Sequence, residues 1–306
     1  MDTKDILVTV ITVTYNSSVY VRDAIESVLA QSHTNIEYII GDDFSTDSTW
    51  QIIQEYKDLR IIAYRNDTNL GEYPNRNKAI DMAKGKYLIF IDGDDIIYSH
   101  GIDFFVKMME EFPAAAFAVQ KNYYNNIVYP VLLSPSDIII NYFFGKVSFL
   151  TSSFASNFFR TDLLKSVGGL SMKYKTGDEE IRLRLASKYP ILLVAGWVTW
   201  PRETPGQASS KLDNGVGVIE LYKMVKDLDE NKLLNNLGDD VKAAILEKTK
   251  DRLKFLATKK ILKGNIVAGK KILKIVGLQW KDILSYSNVR LKDFLEDYTP
   301  SRPFKL

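Results

Sequence analysis

Three times in its first 85 residues the chain runs from a β-branched, apolar stretch through a polar break into apolar positions at helical spacing, and then a fourth strand-like run follows. "ILVTVITVTY" leads to "VYVRDAIESVLAQ", where Val21, Ala24, Ile25, Val28 and Leu29 share one helix face. "NIEYIIGDD" leads to "STDSTWQIIQEYKD", whose Ser and Asp residues suit a helix start. "LRIIAYRN" leads to "GEYPNRNKAIDMAKG", read as a loop and helix closed by Gly85, and "KYLIFIDGDD" is the fourth strand. Strands that alternate with helices over such short spans form parallel βα units, so the fold class is α/β with a mostly parallel central sheet flanked by helices. Open sheets of this kind bind ligands at the carboxyl ends of their strands. The acidic groups Asp42–Asp43 and Asp92–Asp94–Asp95 both stand just beyond such ends.

Past residue 112 the pattern loosens. "AAAFAV" reads as a short strand, "SFLTSSFASNFF" as an extended strand interrupted by Ser, and "GGLSMKYKTGDEEIRLRLASKYP" as a turn with a helix starting near Asp178. "ILLVAGWVTW" reads as one more strand, and the rest is helical without a clear repeat. The expected divisions are 1–120, 121–212 and 213–306. Charge supports the last of these: Val241 to Lys292 holds 14 Lys and Arg against 3 Asp and Glu, although the whole chain carries only +2. The absence of cysteine excludes disulfides, thiolate metal sites and cysteine nucleophiles, and fits a reducing compartment. The start "MDTKDILVTVITVTYN" lacks a basic leader, and no run reaches the roughly 18 apolar residues of a membrane span. The expected location is the cytoplasm, including the inner face of the cell membrane.

The chemistry concentrates in three stretches. In "DGDD", the Asp-x-Asp spacing turns two carboxylates to one side of an extended chain, which suits Mg²⁺ or Mn²⁺ bound through oxygen. Taken alone the pattern serves phosphotransferases, nucleotidyltransferases and glycosyltransferases equally, or forms a solvated strand end. "DDFSTDS" is a helix N-cap with an Asx turn through Ser45 to Ser48, which leaves Asp42 and Asp43 unexplained. "TGDEEIRLRLA" is an acidic helix start of the kind the helix dipole favours, with Arg182 and Arg184 further along.

Together, "VTYNSSVYVRDAIESVLAQS", "YIIGDDFSTDSTWQII" and "NLGEYPNRNKAIDMAKGKYLIFIDGDD" resemble the nucleotide-binding half of family 2 glycosyltransferases, which have the GT-A fold, over about residues 6 to 120. The resemblance implies an inverting transfer of a hexose or N-acetylhexosamine from a nucleotide sugar, UDP-linked, to a glycan or polyprenyl-linked glycan. It implies that Tyr15 lies against base or ribose, that Asp43 accepts a hydrogen bond from the base, and that Arg76 and Asn77 shape the donor site. Asp92 and Asp94 match the family's Asp-x-Asp, with Asp94 the firmer metal contact, Asp92 near ribose or metal, and Asp95 the adjacent acid. The catalytic base falls on Asp178, with Glu179 the alternative one residue on, and "VGGL" matches the turn before it. Arg202 and Gln207, in "WPRETPGQASS", are candidates for diphosphate or acceptor contact. The chain departs from the pattern with Val13 where many members have Pro and Phe44 where many have Gly. Many members also supply a metal-binding His after the last strand; here the histidines are His33 and His100, read as surface or capping residues.

Two features stand apart. In the basic C-terminal helices, Leu253, Leu256, Ile261, Ile266, Ile272 and Ile275 supply apolar surface, for packing between helices or for contact with anionic lipid. A nucleic-acid partner is not expected, because the positive charge is confined to the tail without a recognised motif. The competing class is a binding or scaffold protein that uses the tail alone. A nucleotidyltransferase would show a Gly-rich loop at the first strand, and "VTYNSSVY" has none. Oligomeric state is not readable from sequence.

Overall fold

A computed structural model describes residues 3–121, 127–145, 149–150, 152–204, 214–231, 233–235 and 237–279. The chain divides into two compact units, one of residues 1–138 and 149–205, the other of residues 139–148 and 206–306.

The first unit begins with the expected alternation: β1 (Val8–Thr14), α1 (Val21–Leu29), β2 (Ile36–Asp42), α2 (Thr49–Glu55), β3 (Ile61–Arg65), α3 (Glu72–Met82) and β4 (Tyr87–Phe90). These strands are parallel in the order β3-β2-β1-β4, with Val8 opposite both Ile36 and Tyr87. Both faces of β1 are covered, so Val8, Val10 and Ile11 are fully buried, as are Val21, Ala24, Ile25 and Val28 of α1. Burying each such large side chain contributes about 1.5–3 kcal/mol, which fixes the register. The strand threonines bond inward: Thr12 Oγ1 donates to the Ile91 carbonyl at 2.7 Å and Thr9 Oγ1 to Glu37 at 2.8 Å.

Then come β5 (Ile96–Ile97), α4 (Gly101–Glu111), β6 (Phe117–Lys121), β7 (Val131–Leu133), α5 (Pro135–Phe144), β8 (Asn157–Arg160), α6 (Thr161–Ser166), α7 (Gly177–Ala186), β9 (Ile191–Ala195) and β10 (Thr199–Trp200). The main sheet continues as β4-β8-β6-β9-β7, where β8 runs antiparallel to both neighbours and β9 parallel to β6. The carboxyl ends of β1 to β4, β6 and β9 therefore share one edge. A second, two-stranded sheet pairs β5 with β10.

Several local expectations are corrected. Among the described residues of the Ser-interrupted stretch the strand begins at Asn157, and Phe154–Ser156 is a 3-10 turn. "ILLVAGWVTW" splits into β9 and β10 at Gly196, where φ is +134°. Helix α3 stops at Met82, and Gly85 instead lies against the Thr9 backbone, where a side chain would collide. His33 is not a surface residue: it is fully buried, and its Nε2 meets the Ile6 carbonyl at 2.8 Å. The polar sequence around it conceals a ring that the fold buries.

In the second unit, α8 (Asn214–Glu230), α9 (Asp239–Leu262) and α10 (Ile266–Ile275) pack around Tyr222, Leu253, Leu256, Ala257, Ile272 and Leu273. Gly269 brings α10 onto α9: a Cβ there would run into Ile261 and lie 2.9 Å from the Ala257 carbonyl. Among the described residues, no helix is long and apolar enough to cross a membrane.

Candidate active site

The exit of β4 makes an acidic turn whose glycine is set by packing. A Cβ on Gly93 would sit 3.0 Å from Thr14 Cγ2 and 3.3 Å from Ser17 Cβ, because the turn lies against the β1–α1 loop. The Asp95 amide donates to the Asp92 carbonyl at 2.9 Å, which closes the turn. Residues beyond β10 clamp it from the other side. The Arg202 amide donates to Asp95 Oδ1 at 3.1 Å and Thr204 Oγ1 to Asp94 Oδ2 at 2.8 Å. Burial pushes the Asp95 carboxyl up to about 8, Asp92 adding to the rise and the Arg202 amide opposing it. Burial also raises Asp92, against the pull of Arg76.

Arg76 is the cation of this turn. It is 3 % exposed and pairs with Asp92 at 2.6 Å and Glu72 at 3.0 Å. Its guanidinium lies 5.2 Å from the Phe90 ring centre and 5.1 Å from that of Phe154. Burial works against its charge, but Asp92 and Glu72 outweigh it and raise its pKa. One nitrogen, Nη1, is buried without a hydrogen-bond partner. Leaving such a donor bare costs about 1–3 kcal/mol, which a ligand oxygen would recover.

At the end of β2, the two acids divide their work. Asp42 is fully buried, accepts from Thr14 and Ser45 and forms an ion pair with Arg65 at 3.3 Å, so it holds the loop together. Asp43 accepts from Asn66 Nδ2 at 2.9 Å and from the amides of Leu70 and Gly71 at 2.9 and 2.8 Å. Two of these donors use Oδ1 and one uses Oδ2, so a carboxylate with about four acceptor positions keeps one for a further donor. Tyr15 follows Thr14, whose carbonyl accepts from the Asp43 amide at 2.8 Å, and is 52 % exposed. Phe44 and Asn16 both take left-handed backbone, with φ of +65° and +52°. At Phe44 that conformation costs of order 1 kcal/mol and turns its ring toward Arg65, whose guanidinium is 5.2 Å away.

The second acid group is built by α7. Asp178 lies in its first turn, and its Oδ2 accepts from Arg182 Nη2 at 2.9 Å. Arg182 is buried, bonds the Ser152 carbonyl at 3.3 Å, and lies 5.9 Å from the Phe154 ring centre. Tyr73 of α3 fixes the start of the helix: its hydroxyl donates to the Lys175 carbonyl at 2.9 Å and accepts from the Gly177 amide at 2.8 Å. Burial, then the charge of Asp178, pushes that phenol up to about 12. Lys121 closes β6 at the same sheet edge, where burial and then Arg182 lower it to about 8.

The structure thus brings Arg76, Asp92, Asp94, Asp95 and, through Phe154, Asp178 into one neighbourhood, with Tyr15 and Asp43 along the same edge. Two expected residues make further contacts of their own. Asn77 exchanges hydrogen bonds of 2.8 Å with both the amide and the carbonyl of Leu170, bracing the turn before α7. The Arg202 guanidinium pairs with Asp23 at 2.8 Å and stacks on Tyr20 and Trp200, while its backbone amide bonds Asp95 in the acidic turn. Glu179 is half-buried beside Asp178, and Gln207 lies outside the described residues. Sequence reasoning missed Tyr73, Lys121, Phe154 and Thr204. Lys121 carried a usable signal, a charge ending an apolar strand, whereas the other three act through partners far along the chain.

Among the described residues no three His, Cys, Asp or Glu side chains converge into a ready cage for a metal. The donor set still suits Mg²⁺ or Mn²⁺, which take one or two carboxylates and complete their shell with phosphate and water. Asp94 and Asp92 are the residues that would hold such an ion.

The model of the family described as "Glycosyl transferase family 2" matches residues 9–165, just over half of the chain. The Escherichia coli UDP-Glc:alpha-D-GlcNAc-diphosphoundecaprenol beta-1,3-glucosyltransferase WfaP is 38 % identical over 135 residues, 43 % of this chain. That match spans about half of the relative, 53 % of its length. In fold the chain is similar to Staphylococcus aureus TarS 1-349 in complex with UDP-GlcNAc, with a TM-score of 0.67, 18 % identity, and coverage of 95 % of this chain and 86 % of that one. It is also similar to the Pyrobaculum calidifontis mannosyltransferase PcManGT, solved with GDP-Man and Mn2+, with a TM-score of 0.54, 15 % identity, and coverage of 95 % and 87 %. The sheet order, the acidic turn after β4 and the match over β1 to α6 lead to one assignment: the chain belongs to glycosyl transferase family 2 and has the GT-A fold.

Proposed function

We propose that this protein is an inverting glycosyltransferase that moves a hexose or N-acetylhexosamine from a UDP-sugar to a hydroxyl of a glycan or polyprenyl-linked glycan, in the synthesis of a cell-surface polysaccharide. One observation carries the reading. Arg76, bound to Asp92, and Arg182, bound to Asp178, lie against the same ring, so the acid suited to the donor and the acid suited to the acceptor share a support. The acceptor class is supported by the name of WfaP, the donor by the UDP-GlcNAc in the TarS complex.

In this reading the nucleoside lies along the carboxyl edge of β1 and β2. The free acceptor position of Asp43 takes a base N–H, and the exposed Tyr15 ring offers a flat face to base or ribose. The diphosphate lies over the acidic turn, where the bare Arg76 Nη1 donates to one of its oxygens. A divalent cation on Asp94 and Asp92 would supply charge neutralisation for the departing diphosphate. Asp178 removes the acceptor hydroxyl proton as that oxygen attacks the anomeric carbon from the side opposite the diphosphate. The new C–O bond forms as the bond to phosphate breaks, the proton rests on Asp178, and Arg182 keeps that carboxylate oriented.

The test is calorimetric titration of UDP, GDP and dTDP, with Mn²⁺ and with EDTA, into the wild-type protein and Asp94→Ala. Cation-dependent binding of UDP, lost in the variant, is the expected result. A folded protein that binds no nucleotide in either condition would overturn the reading, and a preference for GDP would correct the donor.

A further inference from the structure

The basic C-terminal helices use most of their apolar stripe on each other: Leu253, Leu256, Ile272 and Leu273 are buried in the second unit's core. The turn between α9 and α10 is different. Leu262 is 78 % exposed, Ile266 49 % and Val267 81 %. Leu262 is the last residue of α9, and Ile266 and Val267 open α10, so the three cluster within one helical turn of the bend. The bend is well defined. Gly264 takes φ of +83°, and Asn265 caps α10 by accepting from the Ala268 amide at 3.2 Å. Gly269 then holds the two helices in close contact just behind it.

Around these aliphatic side chains Lys259, Lys263, Lys270 and Lys271 are exposed. From Arg252 to Lys281 the sequence has nine Lys and Arg and neither Asp nor Glu. Scattered exposed apolar residues need no explanation, but three exposed aliphatic side chains at one bend, in a stretch whose charges are all positive, call for a complementary partner. Nucleic acid would use the charge and leave the aliphatic groups in water. A bilayer with anionic headgroups uses both, because the aliphatic tips enter the acyl boundary while lysine stems extend back to the phosphates.

We propose that the α9–α10 turn is a shallow docking surface for an anionic phospholipid bilayer. With three aliphatic side chains the contact is weak and reversible, and it strengthens with the anionic lipid fraction. The inference does not depend on the transfer reaction, since lipid binding is read without donor or acceptor.

The experiment is flotation of the full chain with vesicles of phosphatidylcholine alone and of phosphatidylcholine mixed with phosphatidylglycerol, at low and at physiological salt. Binding is expected only with phosphatidylglycerol present. Leu262→Ser/Val267→Ser should weaken it roughly tenfold or more, and Lys263→Glu/Lys270→Glu should weaken it by at least as much. All four positions are exposed, and unchanged thermal melting confirms that each variant is folded. No binding by the wild type would overturn the proposal. So would full binding by the apolar variant alongside loss in the charge variant, which is adsorption by charge alone. Equal retention on heparin and on phosphatidylglycerol vesicles would also overturn it, marking a general polyanion surface.

Discussion

Arg76 and Arg182 lie against one phenyl ring, that of Phe154, at 5.1 and 5.9 Å. Each arginine holds an acid, Asp92 for the first and Asp178 for the second, so the ring links two carboxylates that lie far apart in the sequence. Phe154→Ala should cost about 3–5 kcal/mol through the cavity it leaves. Phe154→Leu keeps most of the volume and should cost less than about 1.5 kcal/mol, yet lower kcat/KM roughly ten- to a hundredfold by loosening both arginines. Denaturant unfolding beside steady-state kinetics separates the two effects. Equal turnover in Phe154→Leu and wild type would reduce the ring to packing.

Tyr73→Phe removes a hydroxyl that bonds both Lys175 and Gly177. About 1–3 kcal/mol of stability should be lost, because the Gly177 amide at the start of α7 loses its acceptor. If α3 positions Asp178 in this way, kcat falls while nucleotide affinity, measured by calorimetry, stays as in the wild type.

Thr204→Val keeps the shape of the side chain and deletes the hydrogen bond to Asp94. Mn²⁺ binding in the presence of UDP should weaken by roughly three- to tenfold, the effect of about 1 kcal/mol of lost orientation. Manganese titration followed by water-proton relaxation would register the change, and an unaltered affinity would mean that Asp94 needs no such support.

Lys121 supplies a pH signature. Its folded-state pKa is lowered to about 8, by burial first and Arg182 second, from an ordinary value of 10.5. Between these values the unfolded chain binds more protons than the folded one, so this group's contribution to stability rises with pH across the window. Below about pH 8 both states are protonated, and the cost of burying the charge is felt in full. The stability difference between wild type and Lys121→Met, followed by urea unfolding from pH 7 to 10.5, should change steadily above about 8. A constant difference would show that Lys121 titrates as an exposed lysine does.

Gly269→Ala tests the contact that holds α9 to α10. The added methyl meets Ile261 and the Ala257 carbonyl, so the substitution should destabilise the second unit by about 1–3 kcal/mol although alanine favours helix. Local opening seen by amide exchange in α10, with β1 amides unchanged, is the expected pattern.

The parallel half of the sheet was legible because its signals are local. Each strand's apolar run and each helix's stripe, such as Val21 through Val28, lie within about ten residues of each other, and the acids at strand ends follow from the same reading. The insertion of β8 between β4 and β6 was not legible, because nothing near Asn157 encodes pairing with Leu88 and Ile89. The use of Asn77 on Leu170, of Arg202 through its amide, and of Phe154 as a shared support likewise arises from contacts between distant segments. His33 was misjudged because polar neighbours suggest water, while the fold carries its ring beneath Ile6.

The clamp on the acidic turn also has a temporal consequence. Asp95 and Asp94 receive their partners from residues 107 and 110 positions further along the chain. On a ribosome, β1 to β4 can pair as soon as they emerge, whereas the acidic turn waits for the whole segment through Thr204. Loops of that length close late, so pulse-labelled exchange during refolding should protect the amides of β1 and β2 before that of Tyr98, which bonds Val198 across the small sheet. The acidic turn is thus completed only after the strands that carry it, and a growing chain holds it unclamped until Thr204 has emerged.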